Sequence, residues 1–245
     1  RKIMKKKILA LMLAAVMALS FTACGSSGEK ATSTDDLKKK VEDTLKDVSG
    51  KGEEKPADVA KEHYEIDLSA GNYIAGTDIP VGTYNVTATG GAGNVSSSNM
   101  YSGGLNEIMG SPAEEGYSID SFNGLKMDEG VTLSLGSTVT VHMTAEDAQV
   151  SGVKPRTVAD ATPIDLGAGN YTAGTDFPAG TYNVIATSGS GNVSSDNMYD
   201  GGLNEILGNP AEDGFSITQY NNAVFGEGTV LSVSGASIQL VPVGE

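Results

Sequence analysis

Residues 66–135 of this 245-residue chain match residues 164–233 at a constant offset of 98, without a gap and with more than half the positions identical. The run GNYIAGTDIPVGTYNVTATGGAGNVSSSNMYSGGLNEIMGSPAEEGYSI returns as GNYTAGTDFPAGTYNVIATSGSGNVSSDNMYDGGLNEILGNPAEDGFSI. A repeat defines the folding unit before any element is assigned. This unit is about 80 residues long, so two copies read as tandem modules and not as turns of a solenoid. The boundaries that follow are 64–143 for the first copy, 144–163 for a polar linker and 164–245 for the second copy.

Within a unit the period is two. Tyr84, Val86 and Ala88 alternate with Thr83, Asn85, Thr87 and Thr89, as in a half-buried strand. Leu133 and Leu135 alternate again, and Val139 and Val141 follow a short turn. In the second copy Leu231 and Val233 correspond, but Ile238 and Leu240 stand one place later than the offset requires. A one-residue slip would invert a strand, so one extra residue in the turn Ser234-Gly235-Ala236-Ser237 is the expected compensation. The same parity puts His142 on the solvent side, with an apolar counterpart in the other copy. The 32 glycines and the turn signals between short Thr- and Val-rich runs predict an all-β fold of two tandem β-sandwich (jelly-roll-like) modules. A short helical turn is expected around Leu105-Asn106-Glu107-Ile108. Such small units bury a modest core, so the two copies are expected to pack together.

The N-terminal region carries a different signal. Lys5, Lys6 and Lys7 precede the uninterrupted apolar run Ile8 to Leu19, and Ser20-Phe21-Thr22-Ala23 leads to the only cysteine, Cys24. A charged start, a short apolar run and a small-residue exit describe a signal peptide, over residues 1–23. The run falls short of the roughly 20 apolar residues of a membrane span. A single cysteine has no internal disulfide partner, and its place directly after Phe21-Thr22-Ala23 resembles a lipobox. The reading is a lipoprotein anchored to the membrane through fatty acyl chains such as palmitate on Cys24. Residues 24–63 then form a charged spacer, in which Leu37, Val41, Leu45 and Val48 make a narrow helical stripe.

Charge limits the partners. Five of the 16 basic residues and none of the 31 acidic ones lie in residues 1–23, which leaves 11 against 31 and a net charge of −20. Beyond Glu65 only Lys126, Lys154 and Arg156 are positive. Neutralising phosphates takes clustered Lys and Arg, so no nucleic acid is expected as a partner.

The pattern G-x-D-[IF]-P-x-G-x-Y occurs at Gly76 to Tyr84 and again at Gly174 to Tyr182, followed by Phe122-Asn123 and Tyr220-Asn221. It resembles tandem repeat domains of unassigned activity in surface lipoproteins of Gram-positive bacteria. The resemblance spans both modules and implies an extracytoplasmic location and a β-rich fold; it transfers no site residue. The motif also has a local reading, in which Asp78 caps a turn, Pro80 presets φ and Gly82 permits the entry into a strand.

No catalytic constellation emerges, and the chain is read as non-enzymatic. The two histidines, His63 in the spacer and His142 in a strand, have no Cys or His neighbour at zinc spacing, so neither metal nor cofactor is expected. Gly90-Gly91-Ala92-Gly93 lacks a following helix and reads as a turn and not as a phosphate cradle. Asp196, Asp200, Asn204 and Glu205 offer oxygens for calcium in the second copy, but the first copy has Ser98 and Ser102 for the two aspartates. Glu107 with Glu114 or Glu115 could form a hydrolytic carboxylate pair, a weak signal in so acidic a chain.

Asn94 to Gly116 reads as a long loop, and long loops in compact domains are usually functional. Its centre recurs nearly unchanged from Asn197 to Ile206. Tyr101, Asn106 and Glu107, with Tyr199, Asn204 and Glu205, are therefore expected to form two equivalent ligand-binding patches suited to an envelope glycan or a surface protein. An envelope glycan hydrolase and the substrate-binding component of a transporter are the rival readings. The second lacks the alternating βαβ pattern of such receptors.

Overall fold

The long strand at the middle of each repeat organises the fold. In the computed structural model, which describes residues 59–157 and 162–244, this strand is β3 (Gly82–Ser97) in the first copy and β10 (Gly180–Ser195) in the second. The expected signal peptide, Cys24 and the expected helical stripe of the spacer lie outside the described residues. In the first copy the remaining strands are β1 (Glu62–Leu68), β2 (Gly71–Ile74), β4 (Asn106–Ser111), β5 (Ser121–Met127), β6 (Thr132–Leu135) and β7 (Thr140–Ala148). The second copy follows with β8 (Ile164–Leu166), β9 (Gly169–Thr172), β11 (Asn204–Asn209), β12 (Gln219–Phe225), β13 (Val230–Val233) and β14 (Ala236–Pro242). The fold is all-β.

The N-terminal half of β3 pairs with β7 and β5, and β7 carries β1 on its other side. The C-terminal half pairs with β6 and β4, and β6 carries β2. The second copy repeats this scheme around β10. Gly90 to Gly93 therefore make no turn; they lie within β3, where it passes from one set of partners to the other. Gly91 has φ +60, and a Cβ on Gly91 or Gly93 would run into the backbone carbonyls of Thr138 or Gly136. Glycine is required there by close approach, as at many kinks in strands.

Period two holds inside the strands. Tyr84, Val86, Ala88 and Val95 point into the first core, and Val141 and Met143 of β7, with Val139 just before it, close it. The second core is built the same way, with Phe177, Tyr182 and Phe225 meeting at centroid separations of 5.8–6.0 Å where the first has Ile79, Tyr84 and Met127. The G-x-D-[IF]-P-x-G-x-Y motif is architectural. Asp78 Oδ2 accepts the Ile74 N–H at 2.8 Å, Ile79 is fully buried, and the Tyr84 hydroxyl donates to the Pro80 carbonyl at 2.8 Å. Asp176, Phe177 and Tyr182 repeat all three features.

Four expectations need correction. Ala88 pairs with Val141, and Ala186 pairs with Ile238, so the β13–β14 turn is one residue shorter than its counterpart, not longer. His142 accordingly corresponds to Gln239, not to an apolar residue. Each sits opposite an aspartate: His142 Nδ1 lies 2.8 Å from Asp67, and Gln239 Nε2 donates to Asp165 at 2.9 Å. Leu105 to Ile108 is no helical turn, since Asn106 opens β4. His63, assigned to the spacer, is the second residue of β1, with Nδ1 2.9 Å from Glu146.

Candidate functional site

The two modules meet within one compact unit, along an edge of each. β2 of the first copy and β12 of the second run parallel, with Gly71 opposite Asn221. A Cβ on Gly71 would lie 2.7 Å from the Asn221 Cβ, so the approach needs glycine. The Asn221 N–H and side chain both donate to the Ala70 carbonyl at 3.0 Å, and Ala70 packs into the second core.

Asn72 is the polar centre of this junction and is 4% exposed. Its Nδ2 donates to the Gly201 carbonyl at 2.9 Å, and its Oδ1 accepts from Ser134 Oγ at 2.7 Å and from the Tyr220 hydroxyl at 3.3 Å. Its own carbonyl accepts from Asn222 Nδ2 at 2.9 Å. A buried amide is tolerated because both ends of its side chain are satisfied. Arg156, from the connecting segment, grips Asp78 bidentately at 2.8 and 3.0 Å and reaches Thr181 and the Gly244 carbonyl, each at 3.5 Å.

Beside this polar seam lies a groove of about 540 Å³, walled by Asn94, Ser96 and Asn106 from one module and by Tyr199, Asn204 and Glu205 from the other. It continues past Met100 and Tyr199 into a second hollow of about 440 Å³ that ends at Arg156 and Asp200. Asparagine, serine and tyrosine side chains line the groove together with the apolar Met100, Leu135, Met198 and Leu203. Such a surface offers hydrogen-bond donors and acceptors along an extended path.

The six residues expected to form two equivalent patches stand in different surroundings. Tyr101 and Tyr199 are 95% and 94% exposed. Glu107 is exposed, whereas Glu205 is partly buried against the first module, and its Oε2 accepts the Ser137 N–H at 2.9 Å. Burial pushes the Glu205 carboxyl up to about 7, against the lowering effect of that hydrogen bond. Asn106 and Asn204 both line the groove, as does Tyr199, while Tyr101 and Glu107 lie outside its wall.

Asn94 to Gly116 is not one long loop, because it includes the end of β3 and all of β4. Much of what recurs in it is structural: Leu105 is buried, its N–H donates to Ser97 Oγ, and Asn99 Nδ2 donates to the Lys126 carbonyl at 2.8 Å. The oxygens considered for calcium diverge, with Asp196 accepting the Val230 N–H and Glu205 the Ser137 N–H. Among the described residues no three His, Cys, Asp or Glu side chains group closely enough to hold a metal ion.

Sequence reasoning missed Asn72, Tyr220, Asn222 and Arg156. A signal was present for two of them, since Tyr220 and Asn222 replace Phe122 and Gly124 in a run, 121–127 against 219–225, that keeps only Asn123 as Asn221. Divergence between copies marks where their surroundings differ. No family model matches the chain, and no curated protein matches it either.

Proposed function

We propose that this chain is a lipoprotein anchored outside the cytoplasm through Cys24, whose paired modules bind an extended polar ligand of the cell envelope, a glycan strand in the first place, without turning it over. The observation that carries the reading is the junction groove, to which both copies contribute hydrogen-bonding side chains. Asparagine both donates and accepts, a carboxylate accepts, and an exposed tyrosine adds a rigid ring with a polar tip, a set matched to sugar hydroxyls. The groove requires both modules, which gives the duplication a purpose beyond added length.

Calorimetric titration of soluble envelope oligosaccharides into the full chain in detergent tests the binding. Asn106→Ala with Asn204→Ala should weaken it about thirtyfold, because each of the two lost neutral hydrogen bonds contributes about 1 kcal/mol. Unchanged affinity in that pair of variants, or release of shortened glycan, would exclude the reading. Anchoring is tested separately by metabolic labelling with a fatty-acid analogue, which should mark the wild type and leave Cys24→Ala unlabelled.

A further inference from the structure

Duplication has left this chain with one mated junction and one unmated copy of each surface that forms it. β2 is paired on both sides, by β6 and by β12, whereas its counterpart β9 pairs only with β13 among the described residues. β12 likewise touches β10 and β2, whereas its counterpart β5 pairs only with β3 among the described residues. We infer that the chain associates head to tail with further copies of itself, the β9 edge of one chain receiving the β5 edge of the next as β2 receives β12 within the chain.

The receiving edge is preserved and already arranged. Ala70-Gly71-Asn72-Tyr73 reappears as Ala168-Gly169-Asn170-Tyr171. Ser232 Oγ donates to Asn170 Oδ1 at 2.7 Å, as Ser134 Oγ does to Asn72, which leaves the Asn170 amide nitrogen to face a partner. Tyr171 bonds the Gly167 carbonyl as Tyr73 bonds that of Ser69. Gly169 has no backbone conformation that demands glycine, and the atoms nearest a Cβ there belong to the Tyr171 side chain, at 3.2 Å. At Gly71 the demand comes from a φ of +152 and from the approach of Asn221, and Asn123 is the same residue at the corresponding place on β5, exposed. An open edge strand presents unpaired backbone groups as a template for another strand.

The same relation accounts for the retained trio of the first module. Glu107 in the incoming chain would stand to the Ser234-Gly235 turn as Glu205 stands to Gly136-Ser137. Each intermolecular junction would also rebuild the polar groove, now with Tyr101 and Asn106 in the places of Tyr199 and Asn204. Phe122 and Gly124 lack the hydrogen bonds that Tyr220 and Asn222 make, so the contact between chains is weaker than the one within. Because the two surfaces differ, the contact is heterologous and continues into rings or filaments without stopping at a symmetric pair.

Small-angle scattering of the full chain in nonionic detergent, at no more than one chain per micelle, tests this. Mean mass should rise with concentration, with a dissociation constant on the order of 1 mM or tighter, as befits a small interface. Gly169→Val fills the receiving edge, and Asn123→Lys alters the exposed inserting edge on a residue outside both cores. Each variant alone should stay monomeric, and an equimolar mixture should form one-to-one pairs and nothing larger. Asn123→Lys reads out the proposal even where Gly169→Val lowers the melting temperature. A flat wild-type mass, association that survives Asn123→Lys, or a mixture of folded variants that stays monomeric would each overturn the inference.

Discussion

The Glu205 carboxylate of the second module accepts a hydrogen bond from the Ser137 backbone N–H of the first at 2.9 Å, and the module boundary holds it in a partly buried place. Burial raises its pKa from 4.5 to about 7. A raised acid pKa means that the folded chain keeps a proton the unfolded chain has lost. The associated stability is complete below about 4.5 and is lost as pH rises through about 7. Glu205→Gln should therefore match the wild type near pH 4 and exceed it at pH 8 by on the order of 2 kcal/mol, after allowance for its partial exposure. Thermal melts across that range give the difference, with Glu107→Gln as the exposed reference. A constant gap between Glu205→Gln and wild type at both ends would contradict this account.

The last strand of each module offers a test of facing. Val141 is fully buried, and Asp there places an unpaired carboxylate in the first core at a cost of several kcal/mol, enough to unfold a small module. His142 faces outward opposite Asp67, so His142→Asp sets two like charges directly across the pair and should cost only about 0.2–1 kcal/mol. His142→Gln should be silent, because the second copy already has Gln239 opposite Asp165. Circular dichroism melts of the three variants should rank them in that order.

Alternation carried the reading of Tyr84, Val86 and Ala88 and of the inward side of the last strand, because burial of one face imposes period two directly on the residues. It could not tell a longer turn from a shorter one. Both shift the register by an odd number and leave the same parity, so parity alone allows Ile238 to correspond to Val139, whereas its counterpart is Val141. The expected helical turn at Leu105 to Ile108 gives way to a strand that begins at Asn106, buries Met109 and leaves Ile108 half-buried beside the buried Leu105. Both candidate trios were legible as repeated polar residues. Their unequal surroundings were not, since nothing along a chain states which edge of one copy meets which edge of the other.

The Arg156–Asp78 pair ties the connecting segment to the first module, with both side chains 11% exposed. Asp78 also caps the Ile74 N–H, and Asp176 makes the same cap in the second module. Asp176→Asn should therefore report the cap alone, at about 1 kcal/mol. Asp78→Asn should cost about 3 kcal/mol more, because it leaves a largely buried guanidinium without its counter-charge. Chemical denaturation of both variants isolates the ion pair by difference, and equal losses would mean that Arg156 contributes nothing to stability.

Two separate hydrophobic cores joined by a polar seam imply that the seam couples their unfolding. Asn72 makes that coupling specific, since Gly201, Ser134, Tyr220 and Asn222 all converge on it. Asn72→Ala would strip the Tyr220 hydroxyl of its acceptor and leave buried polar groups unsatisfied, at about 1–3 kcal/mol each. Neither core contains Asn72, so each module should keep its own fold while the link between them loosens. The wild type is expected to unfold in one calorimetric transition and Asn72→Ala in two, a departure from all-or-none unfolding expected when units uncouple. Gly71→Val should act in the same direction by driving a side chain into Asn221. Asn170→Ala removes the corresponding exposed residue of the second copy and should leave the chain with one transition. Two transitions in Asn170→Ala, or one in both Asn72→Ala and Gly71→Val, would show that the modules are coupled somewhere other than at this seam.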